Sequence, residues 1–144
     1  MVDQKNAAEL QLSIELFYFA YRAFTAQPDR ILEQQGLGRV HHRILYFVGR
    51  YPAITVKALL EVLGVSKQAL NTPLRQLIDM KLVAVCVAEH DRRLKQLSLT
   101  QSGKQLETQL TGTQMKHLAA VFADLGSDVQ IAWQSVMRAI PQKS

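Results

Sequence analysis

The sequence predicts a mainly α-helical protein built on a winged helix-turn-helix, with a small two-stranded β wing. Two observations lead to this fold class. Residues 55–78 contain two short helical patterns joined by a glycine, and residues 82–88 form a β-branched run that a charged turn follows. Apolar-rich segments flank this centre on both sides, so we also expect N- and C-terminal helices that serve dimerisation.

Three parts of one intertwined domain are expected. Residues 1–37 contribute an N-terminal dimerisation helix, residues 38–100 form the winged helix-turn-helix lobe, and residues 101–144 supply C-terminal dimerisation helices. A chain of 144 residues can bury a core without disulfides or a structural metal.

Composition and charge limit the classes of protein to which this chain can belong. The net charge is +5 and the isoelectric point is about 9.6, a balance that favours a polyanionic partner such as nucleic acid. The single cysteine cannot form a disulfide within the chain. No apolar run approaches the roughly 20 residues of a membrane span. The start of the sequence is polar and lacks a signal-peptide pattern, so we expect a cytoplasmic protein without a membrane partner.

The N-terminal segment Ala7–Thr25 is predicted to be a long helix. Apolar residues occupy most of its surface, so it must be covered on more than one side. A second copy of the chain is the natural cover, and burial within one chain is the alternative. Gln27–Gly38 is expected to be a connector, with Pro28 as a breaker. The residues assigned to dimerisation are Leu10, Ile14, Phe17, Tyr21, Ile131, Val136 and Ile140.

Three further helices outside the helix-turn-helix follow from helical spacing of apolar residues. The first is Gly38–Arg50. The second runs from Gln101 to about Ala123, where Gly112 is expected to mark a bend. The third is Val129–Ile140, which Pro141 is expected to end.

The helix-turn-helix is predicted from its capping residues. Thr55 is a suitable N-cap for a helix that runs to about Leu63. Gly64 follows at the turn, because glycine enters the left-handed backbone region without a steric penalty. Ser66 can then cap a second helix that reaches Ile78.

The second helix of this pair has two distinct faces. Leu70, Leu74 and Leu77 share one side, which is typical of a buried stripe. The other side carries no acidic residue, and its amide, hydroxyl and cationic side chains are of the types that hydrogen-bond to base edges. An ordinary solvated polar face is the alternative. The predicted DNA-contacting residues of this helix are Ser66, Lys67, Gln68, Asn71, Thr72 and Arg75.

Pro73 lies inside the same helix, where it removes the hydrogen bond to the carbonyl of Ala69. We expect one bent helix, because Leu70 and Leu74 keep a shared face across the proline. The alternative is a regular helix that starts later, with Thr72 as its cap and Pro73 in its first turn.

A β-hairpin is predicted directly after the helix-turn-helix. Leu82–Ala88 is its first strand, Glu89–Lys95 its charged turn and Gln96–Leu99 its second strand. A cationic tip suits the narrow minor groove of DNA, and the carboxylate of Asp91 can orient the guanidinium of Arg93 by a bidentate pair. A generic charged turn is the alternative. The predicted DNA-contacting residues of the wing are Asp91, Arg92, Arg93 and Lys95.

Three residues invite a metal or redox interpretation. His41 and His42 are adjacent, so on a helix their side chains point about 100° apart and cannot comfortably share an ion. We expect structural roles for both; the alternative is a ligand-pocket or phosphate contact, with Arg43 as a helper. Cys86 is expected to be a small buried side chain rather than a redox sensor. Neither a metal site nor a cofactor is predicted.

The wing and the start of the next helix read DRRLKQLSLTQSG, from Asp91 to Gly103. This run resembles the D-x-R-x-x-x-L-x-L-T-x-x-G signature of the MarR family of bacterial transcription regulators. The resemblance implies a homodimer held by its terminal helices, an operator near a promoter, and often a small aromatic or phenolic effector between the dimer and DNA lobes. One departure is Lys81, which stands where the family often has glycine.

The leading prediction is a dimeric, sequence-specific DNA-binding regulator, most simply a repressor of a pseudo-palindromic operator. The alternative from another class is a winged-helix protein-interaction module without DNA readout. Salt dependence separates the two, because DNA binding weakens steeply as counterions are released. An enzyme is not expected, since the sequence lacks a glycine-rich phosphate loop, a nucleophile elbow and carboxylates paired across a cleft.

Overall fold

The computed structural model describes residues 3–143, which form six helices and three strands. The predicted fold class, a mainly helical winged helix-turn-helix, is confirmed. The helices are α1 Gln4–Glu33, α2 Arg39–Arg50, α3 Val56–Leu63, α4 Lys67–Asp79, α5 Gln101–Leu125 and α6 Ser127–Lys143. The strands are β1 Ile54–Thr55, β2 Val83–Ala88 and β3 Asp91–Leu99.

The sheet has three antiparallel strands in the order β1-β3-β2, rather than the two that were predicted. In the added pair, Ile54 lies opposite Leu97 and Thr55 lies opposite Gln96. A strand of two residues is too short to produce an alternating pattern, so periodicity does not predict it. Strand β1 connects the start of α3 to the base of the wing. The wing comprises β2, the turn and β3.

The predicted charged turn Glu89–Lys95 is too long. Strand β3 already begins at Asp91, and only two residues separate it from β2. The pairing steps from Val87–Lys95 to Ala88–Asp91, so residues 92–94 form a bulge at the tip. Charge alone suggested a loop, but a bulge lets cationic residues stay in a strand while they project from it.

The hydrophobic core lies in the central lobe, between α2, α3, α4 and the sheet. Leu32 from the end of α1 and Leu110 from α5 complete it, and both are fully buried. Other side chains with almost no exposed surface are Ile44, Leu45, Val48, Leu59, Leu70, Leu77, Val83 and Leu97. Apolar burial of this kind supplies most of the stabilisation of a small domain, and here α1 and α5 contribute to it together with the lobe.

Helix α1 is eight residues longer at its C-terminal end than the predicted Ala7–Thr25, so the expected connector Gln27–Gly38 is wrong in its first half, and only residues 34–38 connect α1 to α2. Pro28 lies inside the helix and is buried. A proline deletes one backbone hydrogen bond, and here the packing of Pro28 and Leu32 against the lobe offsets that local loss. The Thr25 hydroxyl donates to the carbonyl of Tyr21, one turn earlier.

The two C-terminal helices also continue past their predicted limits. Helix α5 passes through Gly112 without interruption and ends at Leu125. Helix α6 includes Pro141 and reaches Lys143, so Pro141 does not end it. None of the residues of α6 is buried, and residues 8–23 of α1 are exposed throughout. No helix in the described range is both long enough and apolar enough to cross a membrane.

Candidate nucleic-acid interface

The helix-turn-helix forms as its capping residues predicted. The Thr55 hydroxyl accepts the Ala58 N–H at 3.1 Å, and the Ser66 hydroxyl accepts the Ala69 N–H at 3.1 Å. Gly64 between the helices adopts φ +65°, the left-handed region that glycine tolerates best. The caps therefore fix where α4 starts and how it leaves the turn.

Helix α4 runs from Lys67 to Asp79 without interruption and includes Pro73, so the alternative start at Thr72 is wrong. Its buried side consists of Leu70, Pro73, Leu74 and Leu77. Because this side packs against the core, the opposite side faces solvent. No acidic residue occurs before Asp79 at its end. The six residues predicted to contact DNA are all exposed: Ser66, Lys67, Gln68, Asn71, Thr72 and Arg75.

The wing tip presents exposed cations beside one carboxylate. The Arg93 side chain is 91% exposed, and Arg92 and Lys95 are exposed as well. A single oxygen of Asp91 accepts both the backbone N–H of Arg93 at 3.0 Å and its Nε–H at 3.2 Å. The expected bidentate geometry is therefore wrong, because one carboxylate oxygen makes both contacts. The terminal guanidinium nitrogens lie outside this pair and project from the tip.

A junction fixes the wing to the end of α4 and the start of α5. The Thr100 hydroxyl donates to the carbonyl of Lys81 at 2.6 Å and accepts the Gly103 N–H at 3.0 Å. A Cβ atom at Gly103 would overlap the carbonyl oxygen of Leu82. The threonine and glycine of the signature run therefore hold the backbone together rather than contact a ligand.

Lys81 adopts φ +60° in this junction. A left-handed backbone is costly for a residue with a side chain, which is a physical reason for the glycine that the resemblance led us to expect between α4 and β2. The strain does not disrupt the junction, since the Lys81 carbonyl still accepts a hydrogen bond from the Thr100 hydroxyl.

The two adjacent histidines are buried and hydrogen-bonded. His41 Nδ1 accepts the Gly38 N–H at 2.9 Å, and its Nε2 lies 2.8 Å from Gln76 Oε1 on α4. His42 Nε2 lies 3.2 Å from Thr111 Oγ1 on α5, and burial lowers the pKa of His42 from its usual value. No cluster of three or more potential metal ligands occurs among residues 3–143. These contacts favour the structural roles that the sequence indicated.

A pocket of about 350 Å³ lies between α1, α2 and α5. The Arg43 guanidinium donates to the Tyr21 hydroxyl at 2.6 Å, and Arg39 pairs with Asp29 at 2.9 Å. Arg39 also lies 5.3 Å from the centre of the Tyr21 ring. The lining residues are Tyr21, Phe24, Thr25, Pro28, Asp29, Arg39, His42, Arg43, Tyr46, Phe47, Thr111, Gln114, Met115 and Leu118.

Sequence reasoning missed most of this pocket. Tyr21 was assigned to dimerisation alone, yet its hydroxyl contacts α2 of the same chain. The sequence suggests only an auxiliary role for Arg43 and no role for Arg39. The polar partners are separated by 10 to 22 residues in the sequence, and periodicity within one helix gives no signal for such pairs.

Cys86 is exposed, so the expectation of a buried thiol is wrong. Val85 and Val87 on the same strand are 41% and 52% exposed. Strand β2 projects beyond the lobe at this point, and neither of its faces meets the core there. Only Val83 and Ala88, at its two ends, are buried.

Comparison with known proteins agrees with this geometry. The model of the MarR family matches residues 35–94. The HTH-type transcriptional regulator PetP of Rhodobacter capsulatus is 43% identical over 132 residues, which is 92% of this chain and 80% of PetP.

Two solved structures share the fold at low identity. Staphylococcus aureus MarR in complex with salicylate and kanamycin is 23% identical, with a TM-score of 0.76 over 94% of this chain and 91% of that one. The S. aureus MepR–DNA complex is 19% identical, with a TM-score of 0.72 over 90% of this chain and 96% of that one. With its winged helix-turn-helix, its signature run and this similarity to PetP, the chain belongs to the MarR family of helix-turn-helix transcriptional regulators.

Proposed function

We propose that the protein is a homodimeric repressor that binds a pseudo-palindromic operator through α4 and the wing. The observation that carries this proposal is the exposed, acid-free face of α4 beside a cationic tip. Amide and guanidinium groups on such a face can read base edges in the major groove. The similarity of the fold to DNA-bound MepR supports the same orientation.

The wing supplies the second set of DNA contacts in this proposal. Arg93 enters the minor groove, where negative potential is strongest, and Asp91 orients it through the two hydrogen bonds described above. Arg92 and Lys95 contact the backbone phosphates, which fixes the position of the protein without reading sequence.

Dimerisation through residues 1–37 and 101–144 completes the proposed assembly, with residues 38–100 as the DNA-binding lobe. The proposed interface residues are exposed in the single chain: Leu10, Ile14, Phe17, Tyr21, Ile131, Val136 and Ile140. Each large apolar side chain that a partner covers contributes about 1.5–3 kcal/mol. A two-fold dimer presents two α4 helices to one side of a duplex, with half-site centres about 10 bp apart.

The pocket between α1, α2 and α5 is the proposed site of a small aromatic effector. It combines aromatic walls with the Arg39 and Arg43 guanidinium groups. The fold is shared with S. aureus MarR, which has been solved with salicylate. A ligand that separates Arg43 from Tyr21 would release α2 from α1, and so would shift the DNA lobe relative to the terminal helices.

Selection from a random duplex library tests the DNA-binding function. The wild-type protein should enrich a pseudo-palindrome, and its affinity should fall steeply with salt. Arg75→Ala should weaken binding to the selected duplex by roughly 1–3 kcal/mol and have a smaller effect on a scrambled duplex. Failure to enrich any sequence would favour a protein-interaction module instead.

A further inference from the structure

One hydrogen bond joins α2 to the middle of the DNA-contacting helix. His41 Nδ1 accepts the Gly38 N–H, so the proton of a neutral imidazole resides on Nε2. That Nε2–H then donates to Gln76 Oε1 at 2.8 Å, and His41 itself is only 8% exposed. Because the first bond fixes the ring, the second fixes the position of Gln76.

Gln76 is the residue after Arg75, and it lies one turn after Pro73. Pro73 has no N–H, so α4 lacks the backbone hydrogen bond to Ala69 at its centre. The C-terminal half of α4, which carries Arg75, therefore depends more on side-chain contacts for its direction than an unbroken helix would.

Helix α2 is hydrogen-bonded to α1 and to α5. The Thr111 hydroxyl donates to Glu107, so it accepts the Nε2–H of His42. Arg43 donates to the Tyr21 hydroxyl on α1. His42 therefore links α2 to α5, and Arg43 links α2 to α1.

We propose that His41 is a positioning residue for DNA readout: it transmits the fixed orientation of α2 to Gln76, and so sets the angle at which Arg75 meets the base edges. The inference rests on the proposed DNA-binding function. Phosphate contacts tolerate small changes of helix angle, whereas hydrogen bonds to base edges do not. Loss of the link therefore reduces affinity for the specific duplex more than affinity for other DNA.

Two substitutions of His41 separate its two hydrogen bonds. His41→Asn keeps an acceptor near the Nδ1 position for the Gly38 N–H but cannot reach Gln76. His41→Gln places an amide N–H near the Nε2 position, and glutamine at this helix position can also accept from the cap residue. We expect His41→Asn to lower affinity for the duplex selected by the wild-type protein about three- to tenfold. Affinity for a scrambled duplex should be unchanged, and His41→Gln should restore most of the loss.

The partner variant Gln76→Met removes the acceptor and keeps the side-chain length. The double variant with His41→Asn should lose no more specific affinity than the larger single loss, because both substitutions break the same bond. Additive losses would overturn the proposal. Equal losses on both duplexes, or wild-type affinity in His41→Asn, would overturn it as well.

Hydrogen exchange without DNA keeps this test separate from the proposed function. Amides of α4 after Pro73 should exchange faster in His41→Asn than in the wild-type protein or in His41→Gln, while α5 amides stay unchanged. If the wild-type protein enriches no duplex, the DNA-binding function and the role of His41 in readout both fail, and exchange still shows whether His41 has a positioning role within α4. Unchanged exchange in α4 would contradict that role.

Discussion

The central lobe and the terminal helices differ in how they bury apolar side chains. In the lobe, α2, α3, α4 and the sheet cover one another, and side chains such as Leu45, Leu59 and Leu77 have no exposed surface. On the terminal helices, Ile14 is 69% exposed and Ile131 is 63% exposed. Both regions are rich in apolar residues, but only in the lobe do neighbouring elements of the same chain cover most of them. We propose that a second copy of the chain covers the exposed apolar surface of the terminal helices.

The largest effect is expected at the junction that holds the lobe together. Gly103→Ala places a Cβ against the Leu82 carbonyl oxygen, and a backbone atom cannot move aside as a side chain can. We expect a loss of about 3 kcal/mol or more in the free energy of unfolding, measured with urea.

Gly112→Ala is the matched control for that substitution. It lies in the same helix, with no atom within 4 Å of an added Cβ. Alanine is a better helix former than glycine, so stability should rise by about 0.5–1 kcal/mol. A similar loss in both variants would show that α5, rather than the junction, is sensitive to substitution.

The next largest effect concerns an exposed isoleucine of α6. Ile131→Ser removes apolar surface from both chains of a symmetric dimer, which should weaken association by about 3 kcal/mol. Sedimentation of a dilution series measures the change. Val87→Ser in the wing alters a side chain that is 52% exposed, and it should leave association unchanged. If the wing variant weakened association as much as the α6 variant, the proposed interface would be misplaced.

The smallest effect is expected at the strained position within the lobe. Lys81→Gly relieves φ +60°, so the free energy of unfolding should rise by roughly 0.5–1 kcal/mol. Lys116→Gly, in the middle of α5, should lower it by about 1 kcal/mol instead. A loss of stability in Lys81→Gly would mean that the lysine side chain makes a contact worth more than the backbone strain.

The sequence predicted the lobe well because its signals are local. Thr55, Gly64 and Ser66 each act within one turn, and the limits of α3 and the start of α4 followed from them. Pro28 misled because a proline inside a helix costs a fixed local amount, which the packing of that buried side chain against the lobe offsets.

The candidate site was only partly predictable. The exposed face of α4 follows from helical periodicity, since its opposite face is apolar. The bond from His41 to Gln76 spans 35 residues, and the bond from His42 to Thr111 spans 69. Such contacts depend on how whole helices pack, which no single-helix pattern contains. The exposure of Cys86 was missed for the same reason, because alternation along a strand does not show where the strand leaves the core.

Sedimentation velocity of the 144-residue chain at micromolar concentration tests whether a second copy covers the terminal helices. We expect one species of twice 16.2 kDa, which binds the selected duplex as two chains per site. Deleting residues 129–144 should shift the protein to monomer or aggregate with weak DNA binding. A stable 16.2 kDa monomer that binds an asymmetric site with full affinity would contradict a dimer held by the terminal helices.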